Sequence, residues 1–468
     1  MIPFAIVAAV VVGDHVALRA APERTAAQQA VLWKGDWLEV RGHRKGWLEV
    51  YDHRHDRPGW VAERTTRQVE VVPASAPALR AVVDFVRDTP GSESLGIAYA
   101  ALYLKVAAKP AIDAGIMVEL GTLADRLARR ATVVTDPGAA ADSTAAEQLE
   151  VARSWGMAFA SVERDDGIAV CYDGQAFRAA LALAPSPSDA ATAALALTDP
   201  ACTPAHLGAT ERAALAEARL ATLDRAPTQS APPVLANALR IRRARVAAEL
   251  AWSAARKGDL AGSASRASDA VAAYVALDRA ELADDDAAAA DAAAIEVEAA
   301  RFAGEVARAP GSLALKLDPG QPGETCMTVV PKRGPASKPA CTFGQVWSAS
   351  FAAGPDGTTA AVAVEPLPGW LELWLFRKGD DGGWMVDTLA PSTDAPTLGY
   401  VELAGWSPDG RHALLARAVR DATGVHHAFE SVELATLAVA KQASTLSGIG
   451  AAKQWASRDW RRATLGPH

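Results

Sequence analysis

Cysteine is scarce in this sequence, and basic residues are outnumbered by acidic ones, 47 to 55; each of these features narrows the possible functions. The chain has 468 residues, only four of them cysteines, and a formal net charge of −8 at pH 7. A chain of this charge lacks the broad basic face with which proteins bind nucleic acids or anionic lipids. We therefore expect no nucleic-acid partner.

The short motifs of common enzymes and cofactor sites are also missing. The sequence has no Gly-x-Ser-x-Gly, no His-Glu-x-x-His, no P-loop and no Rossmann glycine pattern. It has no Cys-x-x-Cys pair, which argues against a zinc knuckle or a thioredoxin-type centre. We therefore expect no enzymatic activity, no cofactor and no metal.

The hydrophobic N-terminus lacks the features of a signal peptide or a membrane anchor. The stretch MIPFAIVAAVVVGDHVALRAAP has no Lys or Arg before its apolar run, and the run is too short to span a bilayer. Its Val and Ile content predicts a first β-strand, and we expect a protein that does not span a membrane. If the protein is exported, either a leader is missing from this chain or its start is assigned wrongly.

The four cysteines fall into two local pairs, Cys171 with Cys202 and Cys326 with Cys341. A disulfide across either loop stabilises a fold by roughly 3 to 4 kcal/mol in the chain-entropy model, and such bonds persist outside the cytosol. We expect both disulfides, and therefore a periplasmic or secreted bacterial protein. The alternatives are four unpaired buried thiols, or Cys171 as a nucleophile with His206 as its nearest base.

A repeated tetrapeptide, Trp-Leu-Glu-Val at 37–40 and 47–50, has the alternation of a strand with one buried face. With a loop from Gly42 to Gly46, Val40 is expected to face Leu48. Glu39 is then expected to lie directly opposite Glu49, with Arg41 as the donor that relieves their repulsion. The two segments are thus predicted to be neighbouring antiparallel strands.

The first 75 residues resemble the bacterial SH3 (SH3b) domain. The matching positions are Leu18, Arg19, Pro22, Gly35, Asp36, Gly46, Trp47, Val50, Gly59, Trp60 and Val61. The chain departs from the family at Ala20 and Ala21, where a small polar residue and a glycine are usual, so the first long loop is expected to differ in shape. The resemblance implies a small all-β barrel that binds cell-wall peptides or other envelope components.

The candidate ligand-binding residues are Arg19, Trp37, Trp47, Tyr51 and Trp60. Aromatic rings with one polar edge suit the recognition of peptides. The alternative is that most of these rings are barrel core, which we expect for Trp47 and Trp60.

Three histidines in the same region raise the possibility of a metal site. His53 and His55 alternate within Asp-His-Arg-His-Asp, and His43 lies nearby. Alternate positions of a strand point to one side, as metal ligands would. A polar hairpin loop is the simpler explanation, and the one we expect.

From residue 76 to about 310 the apolar period changes to that of helices. Three helices are predicted before residue 131, and a β-hairpin near 157–172 turns at Asp165-Asp166-Gly167. Six further helices are predicted over residues 175–183, 189–197, 211–223, 235–256, 263–277 and 285–303. The two around Lys257-Gly258-Asp259 resemble one tetratricopeptide-type helical hairpin, although no 34-residue period continues.

The remaining segment, 311–468, returns to strands with two Pro-Asp-Gly turns at 355–357 and 408–410. The stretch from Trp406 to Arg411 resembles the blade motif of TolB-type β-propellers. A third fragment is expected where Trp455, Asp459, Arg461 and Ala463 repeat the spacing. Because a propeller needs about four blades to close, we expect an all-β domain with propeller-like blades, or a sandwich.

The sequence as a whole predicts a multidomain protein, with an SH3-like barrel over 1–75, a mainly α-helical domain over 76–310 and an antiparallel β domain over 311–468. The favoured function is a non-catalytic envelope-binding protein whose partner is peptidoglycan or an envelope protein. The alternatives are an assembly scaffold that uses the helical domain, and a cell-wall hydrolase with an SH3b targeting domain.

Overall fold

The computed structural model describes residues 7–134, 143–164, 167–305, 311–379, 381–393 and 398–466. The chain divides into two compact units, each described by itself below. The first comprises Met1–Leu207 and Ala226–Pro232, and the second Gly208–Arg225 and Pro233–His468. The helical segment predicted as one domain thus contributes to both units, and the three predicted domain boundaries stay a prediction.

The first unit begins with a seven-stranded antiparallel sheet. Its strands are β1 (Val7–Val11), β2 (Val16–Arg19), β3 (Gln28–Leu32), β4 (Trp37–Arg44), β5 (Trp47–Asp52), β6 (Arg57–Ala62) and β7 (Thr66–Glu70). They pair in the order β3-β2-β6-β5-β4-β1-β7, with β3 and β7 at the ends. The described strands form this antiparallel sheet without a detected closure between β3 and β7.

The inner face of this sheet is apolar because the strands alternate buried and more exposed residues. Leu18, Leu38, Leu48, Val50 and Val61 pack together and are fully buried. Alternation of this kind is typical of an antiparallel strand with one solvated face, so the outer face carries the polar and aromatic side chains.

The predicted register between β4 and β5 is wrong. Val40 pairs with Val50 and Leu38 with Asp52, because the turn is the two-residue Lys45-Gly46 and a bulge follows Val40. Both turn residues have positive φ, +48° and +80°, as a tight hairpin turn requires. A bulge adds one residue to a strand, and the repeated letters of the sequence do not reveal it.

Six helices complete the first unit, with a small sheet between them. The helices are α1 (Ala76–Val86), α2 (Glu93–Val106), α3 (Ala114–Arg130), α4 (Ser143–Ser154), α5 (Gln175–Ala182) and α6 (Pro187–Leu197). The small sheet contains β8 (Val133–Val134), β9 (Phe159–Arg164) and β10 (Gly167–Tyr172), in the order β8-β10-β9. The predicted strands of the hairpin and all predicted helices of this unit are confirmed, and α4 was not predicted.

The helices pack directly on the N-terminal sheet. Val10 of β1 lies in one buried cluster with Leu79, Ile97 and Leu123 from α1, α2 and α3. Burying these side chains contributes roughly 1.5 to 3 kcal/mol each. The N-terminal sheet and the helices after it therefore share one core.

The second unit joins five helices to two sheets. Its helices are α7 (Ala209–Asp224), α8 (Pro233–Arg256), α9 (Leu260–Val275), α10 (Asp284–Ala300) and α11 (Arg458–Ala463). Alanines of α8, α9 and α10, such as Ala247, Ala270 and Ala293, form one buried cluster. Small side chains let the backbones approach closely, and the helical hairpin predicted around Gly258 is confirmed as α8 and α9.

The strands of the second unit form a three-stranded and an eight-stranded sheet. The smaller sheet contains β11 (Leu313–Pro319), β12 (Thr325–Pro331) and β13 (Ala340–Thr342). The larger contains β14 (Gln345–Ala353), β15 (Thr359–Leu367), β16 (Trp370–Lys378), β17 (Trp384–Leu389), β18 (Leu398–Trp406), β19 (His412–Asp421), β20 (Gly424–Glu433) and β21 (Val439–Ala443).

The larger sheet contains two antiparallel meanders, β14 to β17 and β18 to β21. The two Pro-Asp-Gly turns occupy the same place in each, between its first two strands. The meanders join through a parallel pair in which Trp370 and Leu371 of β16 lie beside Gly399 and Tyr400 of β18. They therefore form one continuous sheet, and no propeller is detected in the part of the chain that the structure describes.

The predicted third blade fragment is wrong. Trp455 ends a 3-10 helix, Gly450–Trp455, and Asp459, Arg461 and Ala463 lie in α11. Ser457 caps α11 by accepting a hydrogen bond from the Trp460 amide. Ser, Asp and Arg occur both at the start of a helix and in the strand-turn motif of a blade. Their spacing alone therefore does not distinguish the two structures.

Candidate functional site

The outer face of the N-terminal sheet carries four of the five predicted site residues. Trp37, Trp47, Tyr51 and Trp60 alternate with the buried residues of their strands, and each is half-buried. None of the four belongs to the apolar cluster of the inner face. The expectation that Trp47 and Trp60 are barrel core is therefore wrong.

Two of these rings belong to a stacked row. Trp37 stacks on His53 with 4.8 Å between ring centroids and 13° between planes, and its centroid lies 6.2 Å from that of Trp155. His53 in turn meets Tyr51 edge-on at 5.0 Å, and the Arg41 guanidinium lies 4.1 Å from the Tyr51 ring centroid. We call Trp155, Trp37, His53, Tyr51 and Arg41 the ring row.

Trp155 was missed by sequence reasoning. It follows the end of α4 and is fixed by a hydrogen bond of 3.0 Å from its indole Nε1 to the Gly35 carbonyl oxygen. The two residues are 120 positions apart in the chain. Only tertiary contacts, the packing of α4 on α2 and α3 and this hydrogen bond, bring the ring to Trp37, so no local signal could have found it.

Carboxylates border the ring row. Glu39 accepts hydrogen bonds from His53 at 2.9 Å and Arg41 at 3.2 Å, and these bonds lower the pKa of Glu39, that from His53 more strongly. The Tyr51 hydroxyl donates to Asp56, which raises the pKa of Tyr51. Aromatic surface with charged edges is the chemistry of a polar recognition site.

The expected clash between Glu39 and Glu49 does not occur. Glu39 lies opposite Tyr51, and Glu49 lies opposite Gly42, because of the bulge after Val40. Arg41 does donate to Glu39, as predicted, although it is not needed to separate two facing carboxylates.

Arg19 lies apart from the ring row and shapes the first long loop. Its Nη1 donates to the Ala26 carbonyl oxygen at 2.8 Å, and its backbone pairs with Trp60 on β6. Gly59 permits this pairing because a Cβ there would lie 2.6 Å from the Leu18 side chain. In the structure, Arg19 thus stabilises the conformation of the first long loop.

The buried aspartates of the motif region hold turns. Asp36 accepts hydrogen bonds from the Trp33 amide at 2.8 Å and from Arg54 at 2.7 Å, and burial raises its pKa despite the arginine. Asp52 is fully buried and accepts from the backbone amide of Arg54 and the ring of His55. The Gly35-Asp36 motif therefore stabilises the turn on which the helices pack.

The three histidines do not gather around one point. His43 contacts Glu63 at 2.9 Å, His53 contacts Glu39, and His55 contacts Asp52. Among the described residues, the only group close enough for a metal is Glu324 with Cys326 and Cys341, and both of those sulfurs are in a disulfide. The polar-loop interpretation fits these contacts.

Both predicted disulfides are present. Cys171 of β10 is bonded to Cys202, and Cys326 of β12 to Cys341, which lies opposite it on β13. The Cys171 thiol is therefore not a free nucleophile. Disulfide bonds form and persist in oxidising compartments.

The second unit contains a buried ionic cluster that the sequence did not indicate. Arg301 is 6% exposed and donates to Glu298 at 2.7 Å, to Glu305 and to Glu402. Glu402 also accepts from the Trp460 indole at 2.7 Å. Burial, opposed by Arg301, raises the pKa of Glu402. Because its members bond to one another, the cluster links α10, β18 and α11.

A second buried carboxyl lies on β15. Glu365 is 1% exposed and accepts hydrogen bonds from the Trp347 indole at 2.9 Å and the Gly369 amide at 2.8 Å. Burial raises its pKa to about 8. Both of its oxygens are thus engaged by donors of the sheet itself.

Comparison with known proteins gave no match: no protein-family model, no curated protein and no solved structure is similar to this chain. In the described part of the chain, no helix has both the length and the apolar character needed to cross a membrane.

Proposed function

We propose that this chain is a non-catalytic cell-envelope binding protein, and that its N-terminal sheet is an SH3b-like barrel that docks peptidoglycan or an envelope protein. The observation that carries the proposal is the ring row on the outer face of the sheet. Aromatic side chains with few rotatable bonds form good binding anchors because little conformational entropy is lost when a ligand binds.

The ring row is held in place before any ligand arrives. Trp155 is fixed to Gly35, His53 to Glu39, and Tyr51 to Asp56. A surface ordered in this way avoids part of the ordering cost of association. The carboxylates and Arg41 at its edge offer polar contacts to a peptide or a saccharide.

We place the protein in the periplasm or outside the cell, on the strength of the two disulfides. We further propose that the two meanders of the second unit are blade-like repeats of the TolB type. Their support is the matching position of Asp356 and Asp409, each of which accepts a hydrogen bond from the amide two residues ahead.

The test is co-sedimentation of the full chain with purified peptidoglycan sacculi at moderate salt. The full chain is used because the N-terminal sheet shares a core with the helices. We expect the protein to pellet with sacculi, and Trp37→Ala to reduce the bound fraction severalfold. Phe343→Ala, which removes a 56% exposed ring in the second unit, is the control and is expected to pellet normally.

A wild-type chain that stays in the supernatant excludes peptidoglycan as the ligand and leaves an envelope protein as partner. Normal pelleting of Trp37→Ala would refute the role of the ring row. In that case the assembly-scaffold alternative, with the helices as the interface, becomes the better hypothesis.

A further inference from the structure

A separate groove surrounds Trp47, at the other end of β5 from Tyr51. The four residue steps from Trp47 to Tyr51 correspond to about 13 Å along a strand. The groove has a volume of about 500 Å³ and is lined by Arg24, Lys45, Gly46, Trp47, Ala62, Glu63 and Arg64. One aromatic wall and three cationic side chains therefore share a single concave surface.

The three cations of this groove outnumber its one carboxylate, Glu63. Within the described ranges, no hydrogen bond or ion pair engages the side chains of Arg24, Lys45 or Arg64. The carboxylate in the groove, Glu63, is already bonded to His43 at 2.9 Å and Gln68 at 3.5 Å. This arrangement leaves an excess of positive charge in a chain whose net charge is −8.

Two other arginines of the same region are engaged. Arg54 bonds to Asp36 at 2.7 Å, and Arg57 donates to the Gln29 carbonyl oxygen at 2.8 Å. Mutual repulsion among the three cations of the groove would be relieved by a bound anion.

The backbone fixes where these cations lie. Lys45 occupies the tight turn between β4 and β5, and the Glu63 amide donates to the Gly46 carbonyl oxygen at 3.0 Å. That bond ties the turn to the short helix that carries Arg64, Glu63–Thr65. Arg24 lies in the loop that Arg19 holds through Ala26. Three separate segments thus converge on one groove.

We propose that the groove around Trp47 binds an oxyanion, a carboxylate or a phosphate group, carried on a stem that packs against the Trp47 ring. Guanidinium groups pair with both anions through charge-assisted hydrogen bonds. The inference does not rest on the proposed envelope ligand, because it concerns a different set of residues from the ring row.

The test follows the Trp47 indole N–H by NMR in the full chain labelled with ¹⁵N-tryptophan, where Trp47→Phe identifies the signal. Inorganic phosphate, N-acetyl-dialanine with a free carboxylate and its C-terminal amide are titrated at constant ionic strength. We expect phosphate, the free acid or both to shift the Trp47 signal saturably, and the amide to have no effect. Whichever of the two anions binds more tightly identifies the source of the oxyanion.

Variants distinguish binding in the groove from a general effect of the protein's charge. Arg24→Gln with Arg64→Gln is expected to weaken binding by about tenfold or more. Arg333→Gln makes the same change at an exposed site in the second unit and is expected to bind as wild type. Unchanged signals of the other tryptophans show that the variants are folded.

Three results would overturn the proposal. The first is no shift of the Trp47 signal by either anion up to about 50 mM. The second is equal binding of the amide and the acid when phosphate does not bind. The third is equal affinity of the double variant and the wild type. Normal pelleting of Trp37→Ala with sacculi would count only against the envelope proposal, so the two can fail separately.

Discussion

Gly35 lies so close to Ser94 that a Cβ atom on Gly35 would be 2.5 Å from the Ser94 carbonyl oxygen. The Ser94 hydroxyl also donates to the Lys34 carbonyl oxygen at 2.6 Å, and the Lys34 ammonium donates to the Gly91 carbonyl oxygen at 2.8 Å. Helix α2 therefore packs directly on the turn that the Gly35-Asp36 motif forms. This packing accounts for the glycine of the motif.

Gly35→Ala is expected to lower the free energy of unfolding of the first unit by about 2–4 kcal/mol, because it adds a backbone clash to an unfavourable φ of +93°. Gly46→Ala is the matched control, since Gly46 has φ +80° and nothing within 4 Å of its Cβ position. It should cost only about 1 kcal/mol. Equal shifts of the urea midpoint in the two variants would contradict the packing argument.

The buried carboxyl of Glu365 should make the stability of the second unit depend on pH. Its pKa is about 8 in the folded state against 4.5 for an exposed glutamate, so the folded state holds the proton more tightly. The contribution of Glu365 to the free energy of unfolding should therefore be greatest below pH 4.5. It should fall as the pH rises to about 8.

Glu365→Gln should reduce this dependence by the contribution of this group, because glutamine does not titrate. The measurement is urea unfolding at pH 5 and pH 8. Glu372→Gln is the control, since Glu372 is half-buried and also accepts an indole hydrogen bond, from Trp374 at 3.1 Å. The same loss of stability in wild type and Glu365→Gln would show that Glu365 is not the titrating group.

Arg301→Met is expected to destabilise the second unit by about 3–5 kcal/mol, because it leaves Glu298 and Glu402 buried without their cation. Arg266→Met removes an exposed ion pair with Glu217 and should cost at most about 1 kcal/mol. Thermal unfolding of both variants provides the comparison. A similar loss in the two would mean that the buried cluster contributes no more than a surface pair.

Removal of the Cys171–Cys202 disulfide by a double serine substitution should lower the stability of the first unit by about 3–4 kcal/mol, since the bond closes a loop of 31 residues. The Cys326–Cys341 double variant should leave the unfolding of the first unit unchanged, because that bond lies in the second unit. A thiol assay of the denatured, unreduced protein should find no free thiols, and four would refute both bonds.

The sequence predicted those elements whose signals are local. The helix expected over 211–223 is observed as Ala209–Asp224, and that expected over 235–256 as Pro233–Arg256. Their apolar period and the flanking Gly and Pro residues are enough to set such boundaries. Both disulfides were likewise predictable, because each joins cysteines that are close in the chain.

Features that depend on tertiary packing could not be predicted. The bulge after Val40 changes the register of β4 and β5 without any change in the repeated letters. Trp155 completes the ring row from 118 residues beyond Trp37 only because tertiary packing places it at the Gly35 turn. The partners of Arg301 come from α10, β18 and the stretch that follows α10, and no spacing rule connects Glu402 to them.

The parallel pairing of β16 with β18 has a consequence for how the second unit comes apart. Propeller blades pack face to face and keep separate hydrogen-bond ladders, whereas these two meanders share one ladder through Trp370 and Gly399. Their central amide hydrogens should consequently exchange with solvent in a single concerted opening. Neither repeat can then be deleted as a module, because its removal would expose the backbone edge of its neighbour.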